Sequence, residues 1–170
     1  LKGGNTSQGG GIHCQFSSPS LENVTVSGNT ASNGSGGGLF TINSGVVLLN
    51  TILWNNSPQE IEFVEDGSVT VTYSDIQEDE VWGGDGNINA DPLFTDPDNG
   101  DYTLQASSPC IDAGDPTSPY DPDGSIADMG ALPSTYGTYV PVVINVPTDY
   151  TTIQAALTAA NATDTVLVQP

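Results

Sequence analysis

Aspartates stand at alternate positions in two short stretches of this chain, a spacing at which one loop can present several oxygens to a cation. The two sets are Asp121, Asp123 and Asp128, and Asp96, Asp98 and Asp101. Carboxylate oxygens are ligands that calcium prefers, and neither set has the terminal bidentate glutamate of an EF-hand. The pattern predicts a simple calcium site, while the same Asp, Pro and Gly residues are also typical of ordinary turns.

Groups suited to acid–base catalysis give no specific signal. The single histidine, His13, has the position in a repeated motif that Phe40 has in the next copy, which favours a stacked wall residue over a general base. A glycosidase needs two carboxylates at a defined separation. With 21 acidic residues in the chain, no particular pair stands out. These residues do not indicate an enzyme.

The charge of the chain excludes two classes of partner. Its 21 acidic residues face a single basic one, Lys2, and 18 of the acids lie between Glu60 and Asp128. Such a surface repels phosphate backbones and anionic lipids but attracts divalent cations. No apolar run approaches the length of a membrane span. We therefore predict neither nucleic-acid binding nor membrane insertion.

The chain has two cysteines, Cys14 and Cys110. In an oxidising compartment they could form a disulfide. Each could instead be a small buried apolar residue. The sequence leaves both interpretations open.

A repeat indicates the fold. The motifs GGGIHC (9–14) and GGGLFT (36–41), and likewise NVTVSGN (23–29) and NTILWNN (50–56), recur with one and the same offset along the chain. Their apolar residues alternate, which is the period of strands, and a unit that cannot bury its own face must stack on its neighbours. A third turn fits 69–76, where Val71 follows Leu48 at a slightly shorter offset. The pattern predicts an all-β solenoid, and a Gly/Asn-rich β-sandwich is the alternative.

Asparagines recur at matching points of the repeats. The four are Asn23, Asn29, Asn50 and Asn56. Asparagine tolerates left-handed backbone geometry, and its amide can hydrogen-bond the equivalent residue of the next coil. We expect structural turn asparagines that stack from coil to coil.

The middle of the chain carries a family resemblance. After the repeats come TVTYSDI, GNINADPLF, DYTLQASSPCIDAGDP and DPDGSIADMGA, in that order. Residues 9–132 thereby resemble the C-terminal part of secreted bacterial parallel β-helix proteins of the pectin-lyase-like group. The resemblance implies a right-handed parallel β-helix at the cell surface or outside the cell. Lyases of this group use an arginine or lysine near the abstracted proton, and this chain offers only Lys2, so lyase activity is not implied.

The C-terminal stretch 145–170 resembles the entry to such a β-helix. Its apolar residues recur at helical spacing and predict a short amphipathic capping helix, followed by a strand at 165–168. The stripe consists of Ile153, Ala156, Leu157 and Ala160, with Thr148 or Asp149 as the helix N-cap. The predicted organisation is β-helix coils in 1–77, an Asp/Pro/Gly-rich end in 78–132, a linker in 133–144 and the entry of another β-helix in 145–170.

The predicted order, with the end of one β-helix followed by the entry of another, has three explanations. The chain could be part of a tandem array, its 145–170 segment could dock on the open first coil near Leu1 of a second copy and form a filament, or the helix could fold back on its own coils. We expect a non-catalytic extracellular structural protein, with calcium as a cofactor. The alternative is a carbohydrate-binding or carbohydrate-processing module with glycan partners. Trp54, aligned here with Val26, is assigned to packing.

Overall fold

The computed structural model describes residues 1, 4–6, 8–32, 35–161 and 163–169. They form two compact units, Leu1–Thr138 and Tyr139–Pro170. The unit boundary lies inside the stretch 133–144 that was predicted as a linker. No helix in the described part of the chain is long and apolar enough to span a membrane.

The first unit is a parallel β-solenoid. Its strands are β1 (Asn5–Thr6); β2 (Ile12–Gln15), β3 (Ser20–Glu22), β4 (Thr25–Ser27) and β5 (Thr30–Ala31) in the first coil; β6 (Leu39–Ile42), β7 (Gly45–Leu49) and β8 (Ile52–Trp54) in the second; and β9 (Ile61–Val64), β10 (Ser68–Thr72) and β11 (Asp75–Ile76) in the third. They stack as the parallel sheets β2-β6-β9, β3-β7-β10 and β4-β8-β11, with β1 beside β5. The predicted all-β solenoid is confirmed.

The strand register confirms the repeat read from the sequence. Ile12 pairs with Leu39, and Val71 pairs with Leu48, as the offsets of the repeated motifs predict. One alignment was wrong: Trp54 lies opposite Ser27, and Leu53 is the partner of Val26. The shift by one residue turns Trp54 out of the solenoid, because neighbouring side chains of a strand point to opposite faces.

Strand β8 is buried on both faces. Leu53 points inward, into a core cluster with Val26, Leu48 and Ile76. Ile52 points outward, into a second cluster that includes Met129. The β4-β8-β11 sheet is therefore an internal wall, with apolar packing on each side.

The two cysteines lie on opposite sides of this wall. Cys14 belongs to the inner cluster and Cys110 to the outer one. Both are buried free thiols. The disulfide considered from the sequence is wrong, because the two thiols belong to separate cores, and the description as small buried residues applies.

The outer cluster is closed by residues 78–131, which we call the cap segment. It contains the antiparallel pair β12 (Phe94–Asp96) and β13 (Asp101–Leu104), joined by a 3-10 turn at Pro97–Asn99. Hydrogen bonds attach it to the coils: the N–H of Asp115 donates to Asn50 Oδ1 at 2.7 Å, and the N–H of Gly130 donates to the Asn50 carbonyl at 2.8 Å.

The second unit consists of β14 (Val143–Val146), α1 (Ile153–Ala159) and β15 (Thr165–Val168), with the two strands parallel. Its small core is formed by Ile144, Val146 and Ala156. On the predicted helix stripe, Ile153 and Leu157 are 49% and 55% exposed. The unit therefore leaves much of its apolar surface uncovered.

The helix N-cap differs from the one expected. Thr152 is the N-cap, and its side chain accepts the N–H of Ala155 at 3.2 Å. The expected residue Asp149 instead accepts the N–H of Asn145 at 2.7 Å. Asp149 and Thr148 therefore belong to the turn that follows β14, and the helix begins later than predicted.

Candidate functional site

Two buried asparagines connect the first and second coils. The backbone N–H and the side-chain Nδ2 of Asn29 both donate to Asn56 Oδ1, at 2.9 and 2.8 Å. On the other side, Asn29 Oδ1 accepts the N–H of Gly4 at 2.9 Å. These contacts form a ladder in which each amide oxygen accepts hydrogens from the preceding coil.

The ladder ends at Glu60. The N–H of Asn56 donates to Glu60 Oε1 at 2.8 Å, and Asn56 Nδ2 donates to Glu60 Oε2. The Nδ2 group also donates to the Val26 carbonyl at 2.8 Å. Glu60 itself is only 2% exposed. A glutamate carboxyl therefore lies inside the solenoid, with one asparagine satisfying both of its oxygens.

Burial dominates the electrostatics of Glu60. It raises the pKa of the carboxyl to about 7, against the hydrogen bonds from Asn56, and the charges of Glu78 and Asp75 raise it further. Removal of a carboxylate from water disfavours the charged form, which explains the direction of the shift. Glu60 consequently exchanges its proton close to neutral pH.

A cleft of about 580 Å³ opens beside Glu60. Its lining includes Gln59, Gln77, Glu78 and Asp79. Burial also raises the pKa of Glu78, while the N–H groups of Ile61 and Glu60 lower it by hydrogen bonding. Two carboxyls with raised pKa values in one cleft are a common feature of functional sites.

A second pocket of about 270 Å³ adjoins this cleft through the shared residue Asn55. Trp54, Phe94 and Pro97 line it, with Gln105 and Asp91 as polar groups. Trp54 is half-buried there and packs against the outer core cluster. The two pockets together combine an aromatic surface with carboxyl and amide groups.

The third coil contains another buried carboxyl, Asp75. It is fully buried, and it accepts the N–H of Ala90 and the thiol of Cys110, each at 3.2 Å. Burial raises the pKa of Asp75 to about 6. Burial and the neighbouring Asp75 also raise the pKa of the Cys110 thiol. This contact ties the cap segment to the third coil.

The other two repeat asparagines, Asn23 and Asn50, have left-handed backbone angles, with φ of 53° and 48°. The side chain of Asn50 is directed to the cap segment, where Nδ2 donates to Ser118 Oγ at 3.2 Å. The four predicted positions therefore divide into a buried ladder and a pair of turns.

The first predicted calcium set lies in one loop together with Asp112. Asp128 accepts the N–H of Asp112 at 2.9 Å, and Asp121 accepts the N–H of Asp128 at 2.8 Å. The pKa of Asp121 is raised by burial and by the charges of Asp128, Asp123 and Asp112. Two buried oxygens, Asp112 Oδ1 and Asp123 Oδ2, have no hydrogen-bond partner. Such oxygens fit a cation.

The second predicted set lies in the β12–β13 turn. Asp96 accepts the N–H and Nδ2 of Asn99, at 3.4 and 2.8 Å, and Asp101 accepts the N–H of Thr103 at 3.0 Å. Asp98 is in the 3-10 turn itself. Among the described residues no group of three or more His, Cys, Asp or Glu side chains has the arrangement of a metal site. Calcium at either set stays a prediction.

His13 stacks edge-on against Phe40, with the ring centroids 5.1 Å apart. Sequence reasoning missed Glu60, whose only signal is an acidic residue placed directly before the buried Ile61 of β9.

Comparison of the chain with protein-family models, with curated proteins and with solved structures finds no match.

Proposed function

We propose that this chain is a non-catalytic structural segment of a secreted or cell-surface β-helix protein of the pectin-lyase-like group, in which copies associate head to tail. The observation that carries this proposal is the open edge of the first coil. Among the described residues no strand pairs with the outer side of β2 or β3. Such edges are templates for pairing with another chain.

The hydrogen-bond directions of β2 define this edge. The N–H groups of Ile12 and Phe16 donate to the second coil, at 2.8 and 3.3 Å. Because N–H directions alternate along a strand, those of His13 and Gln15 project away from it. A further parallel strand could therefore bind there without disturbing an existing bond.

A second copy supplies matching elements in its 145–170 segment. The strands β14 and β15 are parallel, like the strands of the coils. Apolar side chains of this unit are uncovered, including Ile153, Leu157 and Leu167. If these side chains lay against the first coil of the next copy, they would become buried. A contact of this kind repeats without closing and produces filaments.

The substitution Gln15→Pro tests the edge. Proline removes the N–H that projects outward but none that bonds the second coil, and it is tolerated at edge strands. Electron microscopy and light scattering should show regular fibres for the unchanged chain and single particles for Gln15→Pro. Parallel grids with calcium or with chelator test whether the cation strengthens the fibres.

The matched control is Gln15→Ala, which keeps the N–H and should keep the fibres. A monodisperse monomer for the unchanged chain at high concentration would contradict head-to-tail association. Fibres that persist in Gln15→Pro would place the contact elsewhere.

The joined pockets favour a second candidate, carbohydrate binding. Sugars commonly stack on aromatic rings and hydrogen-bond to carboxyl and amide groups. Trp54 and Phe94 supply the rings, and Gln105, Glu78 and Asp79 supply the polar groups. Because these acids would repel an anionic sugar, neutral or amino-sugar oligosaccharides are the expected ligands.

Titration calorimetry with neutral and amino-sugar oligosaccharides tests this candidate. The substitution Trp54→Ala should weaken binding about 10-fold or more, since an aromatic anchor typically contributes over ~1 kcal/mol. Tyr136→Ala, which removes an exposed aromatic ring outside both pockets, should leave the affinity unchanged. If no sugar releases heat on mixing, or if Trp54→Ala binds as tightly as the unchanged chain, this function is rejected.

A further inference from the structure

We propose that Glu60 is a proton-dependent latch between the third coil and the start of the cap segment. While Glu60 is neutral, the Glu78 carboxyl stays bonded to the N–H groups at the beginning of β9. When Glu60 ionises, repulsion between the two carboxylates releases residues 77–79. The inference is independent of the proposed assembly and concerns the opening of one end of the solenoid.

The geometry of the latch places two carboxyls at one strand end. Glu60 precedes β9 and closes the asparagine ladder from inside. The carboxyl of Glu78 accepts the N–H groups of Ile61 and Glu60 from the other side. The start of β9 is thus held between two acidic side chains, so ionisation of both places like charges together.

The segment to be released has few other attachments in this region. The N–H of Gln77 donates to the Leu53 carbonyl at 3.1 Å, and Gln77 Oε1 accepts the N–H of Asn55 at 2.6 Å. Asn89 Nδ2 donates to the Glu78 carbonyl. These bonds line an open cleft, which water can enter when the like charges repel each other.

Two neighbouring charges act on Glu60, and both act in the same direction. The charges of Glu78, from the cap segment, and of Asp75, from β11, both disfavour its ionised form. Asp79 lines the same cleft, and Glu62, on β9, accepts a hydrogen bond from Gln59 in the cleft wall. Asn56 is the neutral partner that bonds the carboxyl directly. No described neighbour therefore offers a cation to Glu60.

The direction of the pH effect follows from linkage. The pKa of Glu60 is about 7 in the closed state, against an ordinary value of 4.5. The closed state therefore holds a proton that the open state releases. Protonation of Glu60 stabilises the closed state fully below pH 4.5, and this stabilisation is lost as the pH rises through 7. Because the two pKa values differ by about 2.5, the opening constant should rise about 300-fold in total, between its limits well below pH 4.5 and well above pH 7.

Hydrogen exchange followed by NMR between pH 4.5 and 8, corrected for intrinsic exchange rates, measures this opening in the full chain. We expect protection of the Ile61, Gln77 and Asn56 amides to fall about 150-fold across this range, following the linkage relation. The Asn29 amide, in the first coil, serves as the internal reference and should lose much less. An equal loss at Asn29 would mean global unfolding and would overturn the latch.

Two variants identify the responsible group. Glu60→Gln cannot ionise, so protection at Ile61 and Gln77 should become nearly independent of pH, whatever its absolute level. Glu78→Gln removes the neighbouring charge and lowers the pKa of Glu60 in the closed state, so the fall in protection should be smaller and should end at lower pH. Glu62→Gln, on the same strand, is the matched control and should keep the original pH profile. An unchanged slope in Glu60→Gln would overturn the proposal.

Discussion

Replacement of Asn56 by alanine should lower the free energy of unfolding by about 3–5 kcal/mol, because it leaves several buried polar groups without partners. The lost side chain accepts the N–H and Nδ2 of Asn29 and donates to the Val26 carbonyl and to Glu60. Asn56 and its three partners are all buried. Urea denaturation, monitored by tryptophan fluorescence and circular dichroism, measures the change.

Asn99→Ala is the comparison for this variant. Asn99 is an exposed asparagine whose amide bonds only the nearby Asp96 among the contacts identified. Its replacement should cost no more than about 0.5 kcal/mol, as is usual for surface positions. If Asn56→Ala and Asn99→Ala had equal effects, the ladder would not contribute to stability.

Gly37→Ala should also be strongly destabilising, for a steric reason. A methyl group at Gly37 would lie 2.4 Å from both the backbone nitrogen and the carbonyl oxygen of Ser57. Backbone atoms of a stacked coil cannot move aside as a flexible side chain can. Overpacking typically costs about 1–3 kcal/mol, and we expect the upper end of this range or more. Thermal unfolding should show the loss as a lower Tm.

The matched substitution is Gly83→Ala, because a methyl group there would meet nothing within 4 Å. It should leave the Tm almost unchanged or raise it slightly, through the lower entropy of the unfolded chain. Equal Tm values for Gly37→Ala and Gly83→Ala would mean that the coils separate easily at this point.

These glycines explain why so much of the fold could be predicted. Gly10 stacks over the Gly37 carbonyl, and Gly37 stacks over Ser57, so a side chain at either position would block the neighbouring coil. A requirement imposed by stacking must recur once per coil, and the spacing of the GGG motifs therefore equals the step from the first coil to the second. The register of β2 on β6 then follows from the sequence alone.

The candidate site could not be predicted in the same way, because its features occur once. Glu60 takes its role from the asparagine above it, and Asp75 takes its role from the thiol of Cys110, which lies far along the chain. The cap segment obeys no period that would place Cys110 outside the wall formed by β8. Contacts between residues this far apart in a non-repeating segment leave no local pattern.

The helix N-cap is a smaller feature that could not be predicted from the sequence. Thr148, Asp149 and Thr152 are all residue types that cap helices. The choice among them depends on Asn145, whose N–H and Nδ2 bind Asp149 at 2.7 and 3.3 Å. Once that turn forms, Thr152 is the cap that remains. The sequence therefore predicts the helix more reliably than its first residue.

The asparagine ladder covers only part of the solenoid. An amide carries both hydrogens and an acceptor oxygen, so Asn29 can pass the same pair of bonds to Asn56, and the pattern could be copied indefinitely. Glu60 has no side-chain amide with which to repeat this pattern, and both of its carboxyl oxygens accept hydrogens from Asn56. The backbone N–H of Glu60 donates to the Glu78 carboxyl and not to another asparagine. Beyond the third coil the chain leaves the regular stack. The asparagine ladder therefore ends at the start of the third coil, directly before β9.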